Sequence, residues 1–158
     1  MTTQFEQEIK KIVDSMQLYI NGIRNMNGYS YIFSTYNEAN TAFEEEISFP
    51  IVLNLLPTGG QGTVAANTIK LAPHCLVAFI DKLPTEERTS ADITLIVNEM
   101  IKAAMKFISK VNESSYFENV LTFRWTSIGL FDVKTAGIVL EIQLKEKIGT
   151  QFCKINQL

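Results

Sequence analysis

The sequence predicts an α+β fold, with two amphipathic helices packed on one face of a mostly antiparallel sheet. Three observations carry this expectation. Two long segments repeat apolar residues at three- and four-residue steps, the spacing of a single helical stripe. Five or six shorter segments alternate by twos between turn residues, as half-buried strands do. The order is helix, three strands, helix, then two or three strands, so no βαβ alternation calls for a parallel sheet. The 158 residues suit a single domain spanning 1–158 with a short C-terminal tail at 149–158.

The first helix opens on Thr3 and Glu6, which have capping-box spacing. Phe5, Ile9, Ile12, Val13, Met16, Tyr19, Ile20 and Ile23 form its apolar stripe, and Gly22 with Asn25–Gly28 ends it. Glu6, Glu8, Lys10, Lys11 and Asp14 make the opposite face, read as solvated. Tyr29–Tyr36 alternates as a strand, 37–46 is a polar connection, and Phe49–Leu56 is a second strand with Pro50 at its start. The glycine-rich stretch 57–63 reads as a flexible hairpin tip within a loop running to 66. Asn67–Asp81 is a long third strand, bent or bulged at Pro73.

The second helix starts near Thr89 or Ser90, with Asp92 in support of the cap, and ends at 112–115. Its stripe is Ile93, Ile96, Val97, Met100, Ile101, Ala104, Phe107, Ile108 and Val111. A strand at Val120–Thr126 follows, then a hairpin formed by 128–133 and 137–145 around Lys134, Thr135 and Ala136. The positions expected to be buried are Phe5, Ile9, Ile12, Met16, Ile96, Met100, Phe107 and Ile108.

Composition removes several functions. Lys and Arg number 14 against 17 Asp and Glu, a net charge of −3, whereas nucleic-acid domains carry an excess of basic residues. Two cysteines, Cys75 and Cys153, and a single histidine, His74, do not make a local four-ligand zinc set or a disulfide framework. With no apolar signal segment at the N-terminus, the expectation is free thiols and synthesis in a reducing cytoplasm. No apolar run approaches the ~18 residues of a membrane-crossing helix.

The chemical search is equally sparing. Gly59, Gly60, Gln61 and Gly62 resemble a phosphate-cradling loop, but neither a helix nor the P-loop lysine follows them. His74 and Cys75 are adjacent in a strand and so point to opposite faces, out of reach of one another as a nucleophile and base. The run Glu44, Glu45, Glu46 lies in a polar segment that gives no reason for paired carboxylates to differ in pKa. Arg124 and Trp125 are residue types favoured as interface anchors. Alternation places Leu121, Phe123 and Trp125 on one face, where Trp125 reads as core and Arg124 points outward. The expectation is no catalytic residue, no cofactor, no metal and no enzyme.

In order and hydrophobic rhythm, the chain resembles the tail-terminator and head–tail connector (neck ring) proteins of tailed bacteriophages, including phage-like proteins of Bacteroidetes. The segments that carry the resemblance are FPIVLNLL (49–56), NTIKLAPHCLVAFID (67–81), ADITLIVNEMIKAAMKFISKV (91–111) and VLTFRWTSIGLFDVKTAGIVLEIQLKEK (120–147). Together with the N-terminal helix they cover residues 3–148. The resemblance implies a virion structural protein, made in the host bacterial cytoplasm, that forms a homo-oligomeric ring of six or twelve copies joining head to tail. Its partners would be further copies of itself and the adjacent neck, portal or tail-tube proteins. DNA would pass through the lumen without specific binding, which suits a slightly acidic chain, and no membrane would be involved. Ring contacts are head-to-tail, and the residues expected to make them are Glu44, Glu45, Glu46, Thr58, Gly59, Gly60, Gln61, Gly62, Thr63 and Arg124. The alternative reading is a small, non-enzymatic α+β module that recognises a ligand or peptide at a sheet edge.

Overall fold

The computed structural model describes residues 4–24, 28–35, 48–57, 59–84, 89–114, 116–128, 134–147 and 150–151. In chain order these form α1 (Gln4–Arg24), β1 (Ser30–Ser34), β2 (Ile51–Leu55), β3 (Gly60–Ala65), β4 (Thr68–Lys82), α2 (Ser90–Glu113), β5 (Arg124–Ile128), β6 (Thr135–Gln143) and β7 (Thr150–Gln151). The strands make one sheet in the order β1-β2-β4-β6-β5, and β3 and β7 pair with the first part of β4. Every pairing is antiparallel except β1 with β2. The α+β architecture is therefore the one the sequence predicts.

Both helices cover one face of this sheet. Ile9, Ile12, Val13 and Met16 of α1 and Ile96, Met100, Phe107, Ile108 and Val111 of α2 are buried against Val52, Val77, Phe79, Ile138, Leu140 and Ile142. Phe79 meets Tyr29 and Phe107 edge to face, with ring centres 6.5 and 5.9 Å apart, a geometry that adds to the area each ring buries. Thr89 caps α2 by accepting from the amide of Asp92 at 3.2 Å. Seven of the eight positions expected in the core are buried, while the side chain of Phe5 lies outside the described residues. The opposite face is apolar too. Ile51, Leu53, Leu55, Ala78, Ile80 and Val139 form a second buried cluster that contains no residue of α1 or α2.

Three local expectations are corrected. The stretch 57–63 is not a hairpin tip, since Gly60, Gln61, Gly62 and Thr63 are strand residues of β3 and the turn lies at Ala66 and Asn67. Turn residues in this hairpin need a positive φ, and Ala66 supplies it at 52°. Thr135 and Ala136 belong to β6 rather than to a turn, and Ile128 ends the strand that holds Trp125. The polar face of α1 is not uniformly solvated. Glu6 and Glu8 are buried, and Glu6 Oε1 accepts from the Tyr31 hydroxyl at 3.4 Å.

Gly137 shows how tightly the sheet is assembled. A Cβ on it would stand within 2.1 Å of the Phe79 carbonyl oxygen, so only glycine lets β6 lie this close to β4.

Candidate functional site: a crease in the sheet and two exposed strands

β4 is the reference for the site because it passes from the body of the sheet into an arm. Its second half pairs with β2 and β6, and its first half pairs with β3. The ladder slips where the two halves meet. On one side Leu55 pairs with Leu76 and Gly60 with Pro73, so five steps of chain face three. On the β5 side, Glu118 N donates to Lys145 O at 2.9 Å and Arg124 pairs with Glu141, so six steps face four. Each slip adds two residues, and both fall at the level of Pro73–Leu76. Such bulges bend a sheet and re-aim its side chains. The added residues lie in the partner segments, while β4 itself runs unbroken through Pro73, and Gly60 is needed there because a Cβ would stand 2.7 Å from the Pro73 Cα.

The crease opens two cavities that meet at His74, Glu141 and Gln143. One, of about 490 Å³, is lined by Gly59, Gly60, Gln61 and Leu76 beside those three. The other, of about 600 Å³, lies under the bulged segment 118–124 and is lined in addition by Val120, Leu121, Phe123 and Arg124. His74 Nε2 and Glu141 Oε1 are 2.7 Å apart. The Gln143 amide donates to Gln61 Oε1 at 3.4 Å and to the Ala72 carbonyl at 3.3 Å. Asn112 holds the bulge from beneath by accepting from Val120 N at 2.6 Å and donating to Val120 O at 3.3 Å.

These contacts place the residues singled out in the sequence. Gly59, Gly60 and Gln61 come together with His74 at the crease, and Arg124 lies across it, in register with Glu141. Gly62 and Thr63 lie further out on β3, away from both cavities. Glu44, Glu45, Glu46 and Thr58 lie outside the described residues. His74 and Cys75 face opposite ways. His74 is exposed at the crease, whereas Cys75 is buried on the helix side, where burial pushes its thiol up to about 12. Trp125 is not core. It is 45% exposed, because β5 is the last strand of the sheet and has no described neighbour on its outer side.

The two exposed strands dominate the surface. Every residue of β3 is exposed, Val64 by 73%, and its neighbour across the ladder from Gly62, Leu71, by 57%. The hairpin of β3 and the first part of β4, which β7 pairs at Thr68 and Ile69, is therefore an arm outside both buried clusters. Along the other margin, Leu121 is 88% exposed and stands with the half-exposed Phe123 and Trp125 at two-residue steps. Scattered apolar residues need no explanation, but two apolar strips on strand margins with no partner among the described residues do.

A buried polar cluster escaped the sequence reading. Asn54 Nδ2 donates to the Tyr31 hydroxyl at 3.1 Å, and Tyr31 donates to Glu6, tying β2, β1 and α1 together. Burial, aided by the Glu6 carboxylate against the opposing pull of Asn54, pushes the Tyr31 phenol up to about 12. Only the position of Asn54 inside the apolar run of β2 hinted at it.

No protein-family model matches the chain, and no curated protein matches it.

Proposed function

We propose that this chain is a structural subunit of a bacteriophage virion that closes into a homo-oligomeric ring at the head–tail junction. The observation that carries this reading is the arm. A hairpin exposed along all of β3 and bearing Val64 and Leu71 buries little of itself, so ordering it yields little until a neighbour covers it. An arm suits a ring subunit, because head-to-tail contacts require two different surfaces on each copy. The exposed β5 margin is the second surface. The resemblance in element order supplies the place on the particle, six or twelve copies, and neck, portal or tail-tube proteins as axial neighbours. DNA passing through the lumen would meet a chain of net charge −3 and not be held.

Light scattering on the purified protein, with electron microscopy of rings and of particles carrying it, tests this reading. Closed rings on the particle axis are expected, and shortening the arm by removing residues 63–70 should prevent them. A protein that is monomeric both in solution and on particles would overturn it.

A second reading has an observation of its own. The gap between 118–124 and β6 could seat an extended peptide, as in a module that recognises ligands at a sheet edge. Saturable 1:1 peptide binding by a monomer would favour it over the ring.

A further inference from the structure

We propose that copies of this chain join by antiparallel pairing of the free edge of β3 in one subunit with the β5 margin of the next, making one sheet continuous across the interface. This rests on the ring reading and names the surfaces that would build it.

The first argument is direction. β2 and β3 lie on one side of β4, and β6 and β5 on the other. The side of β3 is fixed by hydrogen bonds. Pro73 O and Leu71 O accept from Leu144 N and Glu146 N on the β6 side, whereas His74 N donates to Gly59 O on the other. β3 runs against β4, and β5, antiparallel to β6, runs with it. Copies in the same orientation, offset along the strands because β5 lies level with Leu76–Ile80 of β4 and β3 with Thr68–Pro73, therefore bring β5 against β3 in the antiparallel sense, which gives straight, perpendicular hydrogen bonds.

The second argument is which groups are free. The His74 N to Gly59 O bond makes Gly60 and Pro73 a pair that does not exchange hydrogen bonds directly. Alternation then turns the N–H and C=O of Gln61, Thr63 and Ala65 inward to β4 and those of Gly60, Gly62 and Val64 outward. Among the described residues nothing pairs with those outward groups, which are a ready template for another strand.

The third argument is the absence of protection. Folded proteins guard exposed edges with charges, proline or covering segments. β3 carries no charged residue and no proline, and β5 carries Arg124 alone. The bulge at 118–124 stands beside β5 and not within it, so both strands offer an edge to which another strand can add.

The fourth argument is the fit of the faces. Trp125 is in register with Leu140, a residue of the helix-side core. Alternation along β4 from Cys75 puts Leu71 on that same side, with Gly62 and Val64 opposite Leu71 and Ile69. Gly60 and Gly62 leave a shelf without side chains beside Leu71, and the large side chains of the β5 margin, Phe123 and Trp125, would cover it.

The test is a complementation of half-broken subunits. Val64→Pro removes one outward donor while leaving the inward ladder to β4 intact, and Val64→Lys guards the same edge should proline perturb the arm. Leu121→Asp with Phe123→Asp guards the other margin and keeps Trp125, the chain's single tryptophan. Circular dichroism checks that each variant is folded. The expected result is that the wild-type chain self-associates with a blue shift of Trp125 emission, and each variant associates about tenfold or more weakly without that shift. Mixing the two variants should give a 1:1 heterodimer that grows no further, because each brings one intact edge. Folded variants that assemble like wild type, or a mixture that forms no heterodimer, would overturn the pairing and leave the ring reading standing. A wild-type chain that never assembles, in solution or on particles, would instead remove the ring reading.

Discussion

The two halves of β4 show how one strand serves two purposes. From Cys75 to Ile80 it is flanked by β2 and β6 and buried on the helix side, with Ala78 and Ile80 also buried on the far side. From Thr68 to Leu71 it is one strand of an arm whose partner, β3, is exposed throughout. Composition and coverage both separate the two halves, since Cys75–Ile80 is wholly apolar whereas Thr68–Leu71 alternates Thr and Lys with Ile and Leu. Coverage alone leaves the apolar Leu71, and Val64 on β3, exposed. The body should hold the folding energy, and the arm should be nearly free of it and available to a neighbour.

The sharpest way to break this comparison is to cut the body and see whether the arm's share is as small as claimed. Phe107→Ala, fully buried against Phe79, should cost about 3–5 kcal/mol in denaturant unfolding. Val64→Ala, on the exposed arm, should cost about 0.5 kcal/mol or less, as surface changes do. Similar losses for the two would show that the arm is part of the core.

Glycines give a second contrast. Gly137→Ala pushes a methyl against the Phe79 carbonyl and should destabilise by about 1–3 kcal/mol or more, as overpacking does. At Gly62 the new methyl would meet nothing nearer than 3.7 Å, so Gly62→Ala should leave the thermal midpoint of the monomer almost unchanged. A large loss at Gly62 would mean the arm is packed after all.

Alkaline titration sharpens the account of the body. The Tyr31 phenol is pushed from 10.0 to about 12 in the folded chain, chiefly by burial. An unfolded chain therefore loses this proton first, so the stability this group contributes is fully present below pH 10 and is lost as pH rises from 10 toward 12. Tyr31→Phe should flatten that decline. An unchanged slope would remove Tyr31 as its source.

The smallest effect belongs to the arm's turn. Ala66 sits at φ 52°, a conformation that glycine adopts without penalty, so Ala66→Gly should raise stability by about 0.5–1 kcal/mol. No gain would mean the turn is not strained by its alanine.

Much of the fold was legible because it rests on local rhythm. The stripes of α1 and α2, the Thr89 cap and the long strand through Pro73 follow from spacing and turn chemistry. The glycines at 59–62 were misread for an instructive reason. Glycine most often means a turn, and here Gly60 meets a demand of close approach to Pro73 that only the paired strand creates. Trp125 was misread likewise. Alternation gives the face on which a side chain lies but not whether another element covers that face.

The sequence by itself determined the fold class, the two helices and the alternation of the strands, since these depend on the periods of helix and strand and on neighbours a few residues away. Only the tertiary structure decided which strands end the sheet, where its ladder slips by two residues and which apolar residues stay uncovered. Those are settled by pairing between segments dozens of residues apart, such as Arg124 with Glu141 and Gly60 with Pro73. That is why Gly60, Gln61 and Arg124 could be picked out one by one in the sequence, while the crease that gathers them around His74 could not.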